Sequence, residues 1–132
     1  MAYQLKKKKH IYKTLELLDD QGKAEKTLTV DIIVDEFRNR YPKVIADVKK
    51  AQNMLDANGD DDAEAIVASQ IAIKAVFVLV FGEVQTRDFL EYYQNRYSEA
   101  FMEVIPFITE EILPEVNKAA KKESERIMEL MK

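Results

Sequence analysis

The chain has 132 residues, the length of a single domain, and at 47% apolar and 33% charged it is globular rather than disordered in composition. It has no cysteine, which excludes a disulfide framework and a thiolate metal site. A net charge of −4 argues against nucleic acid as the main partner.

The chain opens on Met1-Ala2-Tyr3-Gln4-Leu5 and then a basic block, Lys6 to Lys9. No apolar stretch follows that block, so it does not read as a secretory signal. Its simplest reading is a solvated lead-in to a strand, with His10 a structural residue at the strand's start. From Ile11 to Leu18 the residues Ile11, Leu15 and Leu17 share one parity. From Thr27 to Val34, Leu28, Val30, Ile32 and Val34 alternate with Thr29, Asp31 and Ile33. This is the two-residue alternation of half-buried strands. Between the runs lies Asp19-Asp20-Gln21-Gly22-Lys23, which is turn chemistry. The sequence therefore predicts a β-hairpin, which needs something to cover its apolar face.

From Asp35, a candidate N-cap, the period becomes helical: Phe37, Tyr41, Val44, Ile45, Val48, Gln52 and Leu55 fall on one face. A mid-helix proline costs about 3 kcal/mol, so Pro42 predicts a kink there or a helix that begins there. A second helix is predicted from Asp60-Asp61-Asp62 to Phe81, with acidic residues at the positive end of its dipole. Its longest uninterrupted apolar run, Ala75 to Phe81, is seven residues, against about 20 needed to span a bilayer. No membrane association is expected.

Thr86 is the predicted cap of a third helix. Leu90, Tyr93, Tyr97, Phe101, Val104, Ile108 and Ile112 then step by three or four. That row crosses Pro106, which predicts a kink near Met102, and Pro114 marks another bend or break. The last stretch carries a thin stripe, Val116, Ala120, Ile127 and Met131. The expected architecture is α+β, mainly α: a hairpin followed by a bundle of about four helices, some kinked at prolines. It forms one domain over 1–132, with a lysine-led hairpin at 1–34, a helical core at 35–113 and a C-terminal helical tail at 114–132.

Catalytic chemistry finds little material here. A hydrolase triad needs a histidine, and His10 is the only one. Ser69, Ser98 and Ser124 lie in no nucleophile-elbow context. Asp56, Asn58, Asp60 and Asp62 have the alternate spacing of a calcium loop. The loop also needs glycine at its sixth position and glutamate at its twelfth, where this chain has Asp61 and Val67. An interhelical turn with a helix cap is the better reading. Glu110 and Glu111 are adjacent and point to different faces. The expectation is a non-enzyme with no cofactor and no metal.

That leaves the aromatic stretch from Phe81 to Phe107, with four phenylalanines and three tyrosines. Neighbouring helix positions diverge by about 100°, so the tyrosines Tyr92 and Tyr93 cannot share a face. Phe89, Tyr92 and Arg96 form a second row beside Leu90, Tyr93 and Tyr97. One row is expected to face the core and the other a partner, since Tyr and Arg are favoured at interfaces. The candidate partner-binding residues are Phe89, Tyr92 and Arg96, with Ile127 and Met131 from the C-terminal stripe.

Over nearly its whole length the chain resembles the tail assembly chaperones of long-tailed, siphovirus-type bacteriophages and related prophages. The resemblance begins with "YQLKKKKHIYKTLELLDDQGKAEKTLTVDIIVD" and continues through "EFRNRYPKVIADVKKAQ" and "FVLVFGE". Its sharpest part is the order of "FGE", "FLEYYQNRY" and "VIPFITEEILP". The family often carries an acidic residue after "FGE", where this chain has Val84. The resemblance implies a non-catalytic job in the host cytoplasm, with the protein absent from the mature virion. Such proteins coat the aggregation-prone tape measure protein and keep it soluble during tail morphogenesis. Many are also made in a longer, frameshifted form that recruits tail tube subunits. Coating a long partner implies many copies, hence a homo-oligomer. Two rival expectations remain. One is a phage structural protein such as a tail terminator or head-tail connector component. The other is a small regulator that binds nucleic acid through Lys6 to Lys9.

Overall fold

A computed structural model describes residues 1–5, 10–59 and 61–132. The basic block Lys6 to Lys9, and Asp60 of the acidic turn, lie outside the described residues. The chain is α+β and mainly α. Strands β1 (His10–Leu18) and β2 (Ala24–Ile33) form an antiparallel hairpin, followed by helices α1 (Val34–Asn58), α2 (Ala63–Tyr92), α3 (Tyr97–Phe107) and α4 (Leu113–Leu130). A π turn, Ile108–Ile112, joins α3 to α4, so the four segments make three helical rods.

The hairpin forms as the alternation predicts, except that β2 begins three residues earlier than Thr27, at Ala24, and Val34 is the first residue of α1 rather than the end of the strand. His10 pairs with Ile33 and Thr14 with Thr29, and the register slips once, between Leu17 and Leu18. The Asp19 carboxylate accepts hydrogen bonds from the backbone N–H of Gln21 and of Lys23, both at 2.9 Å, and Gly22 takes φ 80°. That left-handed position is one that glycine occupies without strain. Leu17, Leu28, Val30 and Ile32 are buried, facing the helices.

Helix α1 starts directly after β2. Its N-cap is Ile33, with no side-chain cap, so Asp35 is not the cap but a first-turn residue, where its charge suits the helix dipole. Pro42 neither starts nor interrupts α1, which runs continuously past it. The proline removes the hydrogen bond to the Arg38 carbonyl, but both residues are exposed, on the side of α1 where that group is open to solvent. Phe37 and Val48 are buried as the spacing predicts, whereas Gln52 is exposed and Ala51 beside it takes the core position. Phe37 and Tyr41 stack at 5.0 Å, and burial pushes the Tyr41 hydroxyl pKa up.

The acidic turn into α2 is a helix cap. The Asp62 carboxylate accepts from the backbone N–H of Glu64 (3.0 Å) and Ala65 (3.2 Å) and from the Asn58 amide (2.9 Å). The Ala65 bond and then the Asn58 bond hold its pKa below the usual carboxylate value.

Helix α2 is the long apolar element. By length and composition it is the one described helix able to cross a membrane, with mean hydropathy 2.1 over its most apolar window. Counting only consecutive apolar residues understates this. Of that window 44% is buried within the molecule, where α2 packs along α1 and against β2. Gly82 interrupts it at φ 78°, ψ 166° and redirects its second half. The helix resumes at once, so Thr86 is not a cap. It lies inside the resumed helix, fully buried, and its hydroxyl has no partner among the described residues. A helical threonine ordinarily bonds the carbonyl three or four residues back. Here the fourth is Gly82, whose ψ swings its carbonyl out of line. Replacing Thr86→Val removes an orphaned polar atom that costs about 1–3 kcal/mol and keeps the shape. The melting temperature is expected to rise by a few degrees in a calorimetric scan; a fall would mean that the hydroxyl is satisfied.

Three polar contacts tie the hairpin to the second half of α2. The Gln85 side-chain amide meets Thr29 twice, accepting from its N–H at 2.8 Å and donating to its carbonyl at 2.7 Å. Lys26 pairs with Asp88 at 3.6 Å, and the Tyr92 hydroxyl donates to the Leu18 carbonyl. From β1, Lys13 reaches Glu111 (3.7 Å) and Glu115 (3.3 Å).

The sequence pattern does not reveal the break after α2. Gln94 and Asn95 both take positive φ (53° and 59°), and the chain turns before α3 begins at Tyr97. Pro106 lies within α3 without ending it. The irregularity appears downstream as the π turn, closed by the Leu113 N–H bonding the Ile108 carbonyl. The wider turn brings the chain to Pro114, at the start of α4, where a missing N–H is tolerated. Ile108, Ile112 and Val116 are buried through this stretch.

Candidate partner-binding surface

Of the aromatic residues in this stretch Phe81 and Phe89 are buried, and Tyr92, Tyr93, Tyr97, Phe101 and Phe107 are half-buried against the core. Phe89 is 2% exposed, with its ring centroid 5.1 Å from Phe77 and 5.0 Å from both Phe81 and Tyr93. Its expected place on a partner-facing row is therefore corrected. Thr86, Phe89 and Leu90 are buried and Tyr93 is half-buried beside them, so the inward face is broader than the narrow stripe that spacing suggests. Tyr92 is half-buried and stands edge-on to Tyr93. Its hydroxyl is committed to the hairpin, so it is a clamp within the fold rather than a free contact. Arg96 is exposed and pairs with Glu99 at 3.4 Å. Burial raises the Tyr93 pKa, with nearby Glu103, Tyr92 and Glu99 adding to the effect.

Ile127 and Met131 stand in solvent, at 56% and 77% exposure. They are not alone. Every residue of α4 from Lys121 onward is exposed, including Met128 and Leu130. Earlier in the same helix Val116 and Ala120 bury the stripe against the body. The stripe thus continues past the point where the body stops covering it. Ile127, Met128, Leu130 and Met131 leave apolar area in solvent at the end of α4.

A second apolar surface is one that the sequence pattern hides. The outer face of α2 exposes Val67 (52%) and Ile71 (66%). Beside it runs a groove of about 680 Å³ between β2, α1 and α2, with Ile33, Val44, Ile71, Val78 and Leu79 among its lining. Lys43 and Lys74 stand at its rim, and neither makes an ion pair among the described residues. Only the run Val76 to Phe81 reads as apolar all round; before it Ile66, Val67, Gln70, Ile71 and Lys74 keep one helical phase, which does not say which side faces outward. The one signal is polar Gln70 and Lys74 flanking Ile71. The lining of this surface is mainly apolar. Among the described residues no group of three or more His, Cys, Asp or Glu side chains is placed to hold a metal ion.

Compared with known proteins, the chain matches no family model, no curated sequence and no solved structure.

Proposed function

We propose that this chain is a non-catalytic assembly chaperone of a long-tailed bacteriophage or prophage. It binds the tape measure protein during tail morphogenesis in the host cytoplasm and keeps it soluble. The observation that carries the reading is the pair of exposed apolar helix surfaces, the outer face of α2 with its groove and the free end of α4. A tape measure protein presents long amphipathic helices. Grooves and stripes of this kind bind such helices through apolar area, with little demand for exact pairing of polar groups. The sequence resemblance supplies the identity of the client, and a longer frameshifted form is the proposed link to the tail tube protein.

The test is co-expression with the tape measure protein. The client is expected to stay soluble and to co-elute with this chain on a sizing column. The double variant Ile71→Asp, Ile127→Asp should return most of it to the pellet while keeping its own fold. A client that precipitates as it does alone would refute the reading.

A further inference from the structure

We infer that the outer edge of β1 is a docking site for an extended, basic segment of another protein, which adds to the hairpin as a third strand. Antiparallel strands alternate between residue pairs that exchange backbone hydrogen bonds and pairs whose N–H and C=O groups point away from each other. The Thr29 N–H and C=O both go to the Gln85 side chain, so they point away from β1. Opposite Thr29 in the register is Thr14, whose backbone groups therefore point away from β2. The two-residue alternation extends this to Tyr12 and Glu16. These three residues hold their N–H and C=O groups outward along β1, and none of those groups has a partner among the described residues.

The two edges of the hairpin are treated differently. That of β2 is closed at Thr29 by Gln85, tied at Lys26 to Asp88, and packed beside α1 and α2. The edge of β1 has no such cover: Tyr12, Thr14 and Glu16 are exposed. The strand has no proline, its one lysine, Lys13, is held by Glu111 and Glu115, and its one irregularity lies at the far end, between Leu17 and Leu18. Soluble proteins guard open edges with lysine, proline, bulges or a covering element. A hairpin with one edge closed and the other bare is arranged to accept a strand.

Charge selects the segment. Glu16 stands on the outer face of this edge and Glu111 and Glu115 lie beneath it, with Lys13 the one cation that reaches them among the described residues. A strand beside β1 puts alternate side chains on the two faces, so a lysine or arginine on each face meets a carboxylate. A β-branched residue opposite Tyr12, whose ring stacks on His10 at 5.6 Å, adds a favourable cross-strand pair. A second copy fits less well, because it brings its own Glu16, Glu111 and Glu115 to the same place. The site is separate from the helix surfaces given to the client, since the groove beside α2 takes its strand residues from β2 alone. It stands or falls independently of the chaperone reading.

The test is an NMR titration of the full chain, read as hydrogen exchange at the amides of Tyr12, Thr14 and Glu16. The probe is the capped peptide Lys-Val-Thr-Lys-Val-Thr-Lys, whose lysines fall on both faces of a strand and oppose its pairing with itself. Exchange at the three amides is expected to slow by about tenfold or more as the peptide saturates the edge. The same peptide with glutamate for lysine, or with proline for valine, should bind about tenfold more weakly, equivalent to about 1.4 kcal/mol. Thr14→Pro removes one outward donor and no bond to β2. It should weaken the peptide by a similar factor and change the melting temperature little, because an edge strand accepts proline where the N–H faces solvent. Equal binding of the proline peptide would mean charge attraction without strand pairing. Equal binding of the glutamate peptide would remove the basic partner, and no slowing at millimolar peptide would remove the site. Each of these overturns the inference. So does protection of the three amides before any peptide is added. The edge is then already taken, by another copy where protection grows with protein concentration, or by residues 1–5 where it does not.

Discussion

Replacing Phe89→Ala should lower the melting temperature by roughly 10–20 °C, reflecting a loss of about 3–5 kcal/mol. The side chain is 2% exposed and touches Phe77, Phe81 and Tyr93. Truncation removes the centre of that aromatic cluster and leaves a cavity that the surrounding helices close only partly. Edge-to-face contacts add to the area term, and two of the three rings meet Phe89 that way. The loss is a large share of the roughly 5–15 kcal/mol by which a domain is stable. Any failure of such a variant to bind a partner would follow from unfolding. The control is Met131→Ser, at a 77% exposed position, which should leave the melt unchanged. A Phe89→Ala melt close to wild type would remove Phe89 from the core and restore it to the surface.

The second large effect is at Gly82, and its sign separates two arguments. Gly82 lies within a helical stretch, where alanine is ordinarily better than glycine by about 1 kcal/mol. Its backbone, at φ 78° and ψ 166°, lies in a region open essentially to glycine alone. No atom stands within 4 Å of where a Cβ would be, so the penalty is torsional rather than a clash. Gly82→Ala should therefore destabilise by about 1–3 kcal/mol. Larger still is the consequence for geometry, because straightening α2 would carry Gln85, Asp88 and Tyr92 away from the hairpin together. Introducing D-alanine at the same position should be tolerated. A chain stabilised by L-alanine would show that α2 is straight in solution.

These residues also show what the sequence reveals and where it stops. The hairpin is legible as two alternating runs with a turn between them, but not its bounds: β2 starts at Ala24 rather than Thr27, Val34 belongs to α1, and the slip at Leu17 and Leu18 has no local signal. The core row from Leu90 to Ile112 is legible too, because its spacing survives the turn at Gln94 and the π turn. What is not legible is where helices stop without a strong stop signal. Asn95 tolerates a left-handed backbone and Gln94 is carried into it by the surrounding packing, which no local pattern announces. Thr86 looks like a cap because Gly82 looks like an end, yet the helix resumes within a residue or two of the glycine. For the candidate surface, the α4 stripe is visible because it is a lone apolar row among charges. The α2 face is invisible because apolar residues such as Ile66, Ile71 and Ile73 fall on several sides of its first half, and only packing decides which side is left uncovered.

The Gln85 contact has a consequence for the order of events during synthesis. Beyond Thr29, the outer edge of β2 is a row of backbone groups of the kind that pairs with any passing strand. Gln85 closes it with one side-chain amide, and that amide lies 56 residues further along the chain. The Tyr92 clamp on the hairpin's turn end comes from 74 residues away. A nascent chain emerging from the ribosome therefore displays its hairpin, edge open and apolar face bare, until most of α2 has followed. Loop closure over such separations is slow relative to local helix formation. The vulnerable moment in the life of this molecule is thus its own birth, and chains interrupted before residue 85 should be the ones that aggregate.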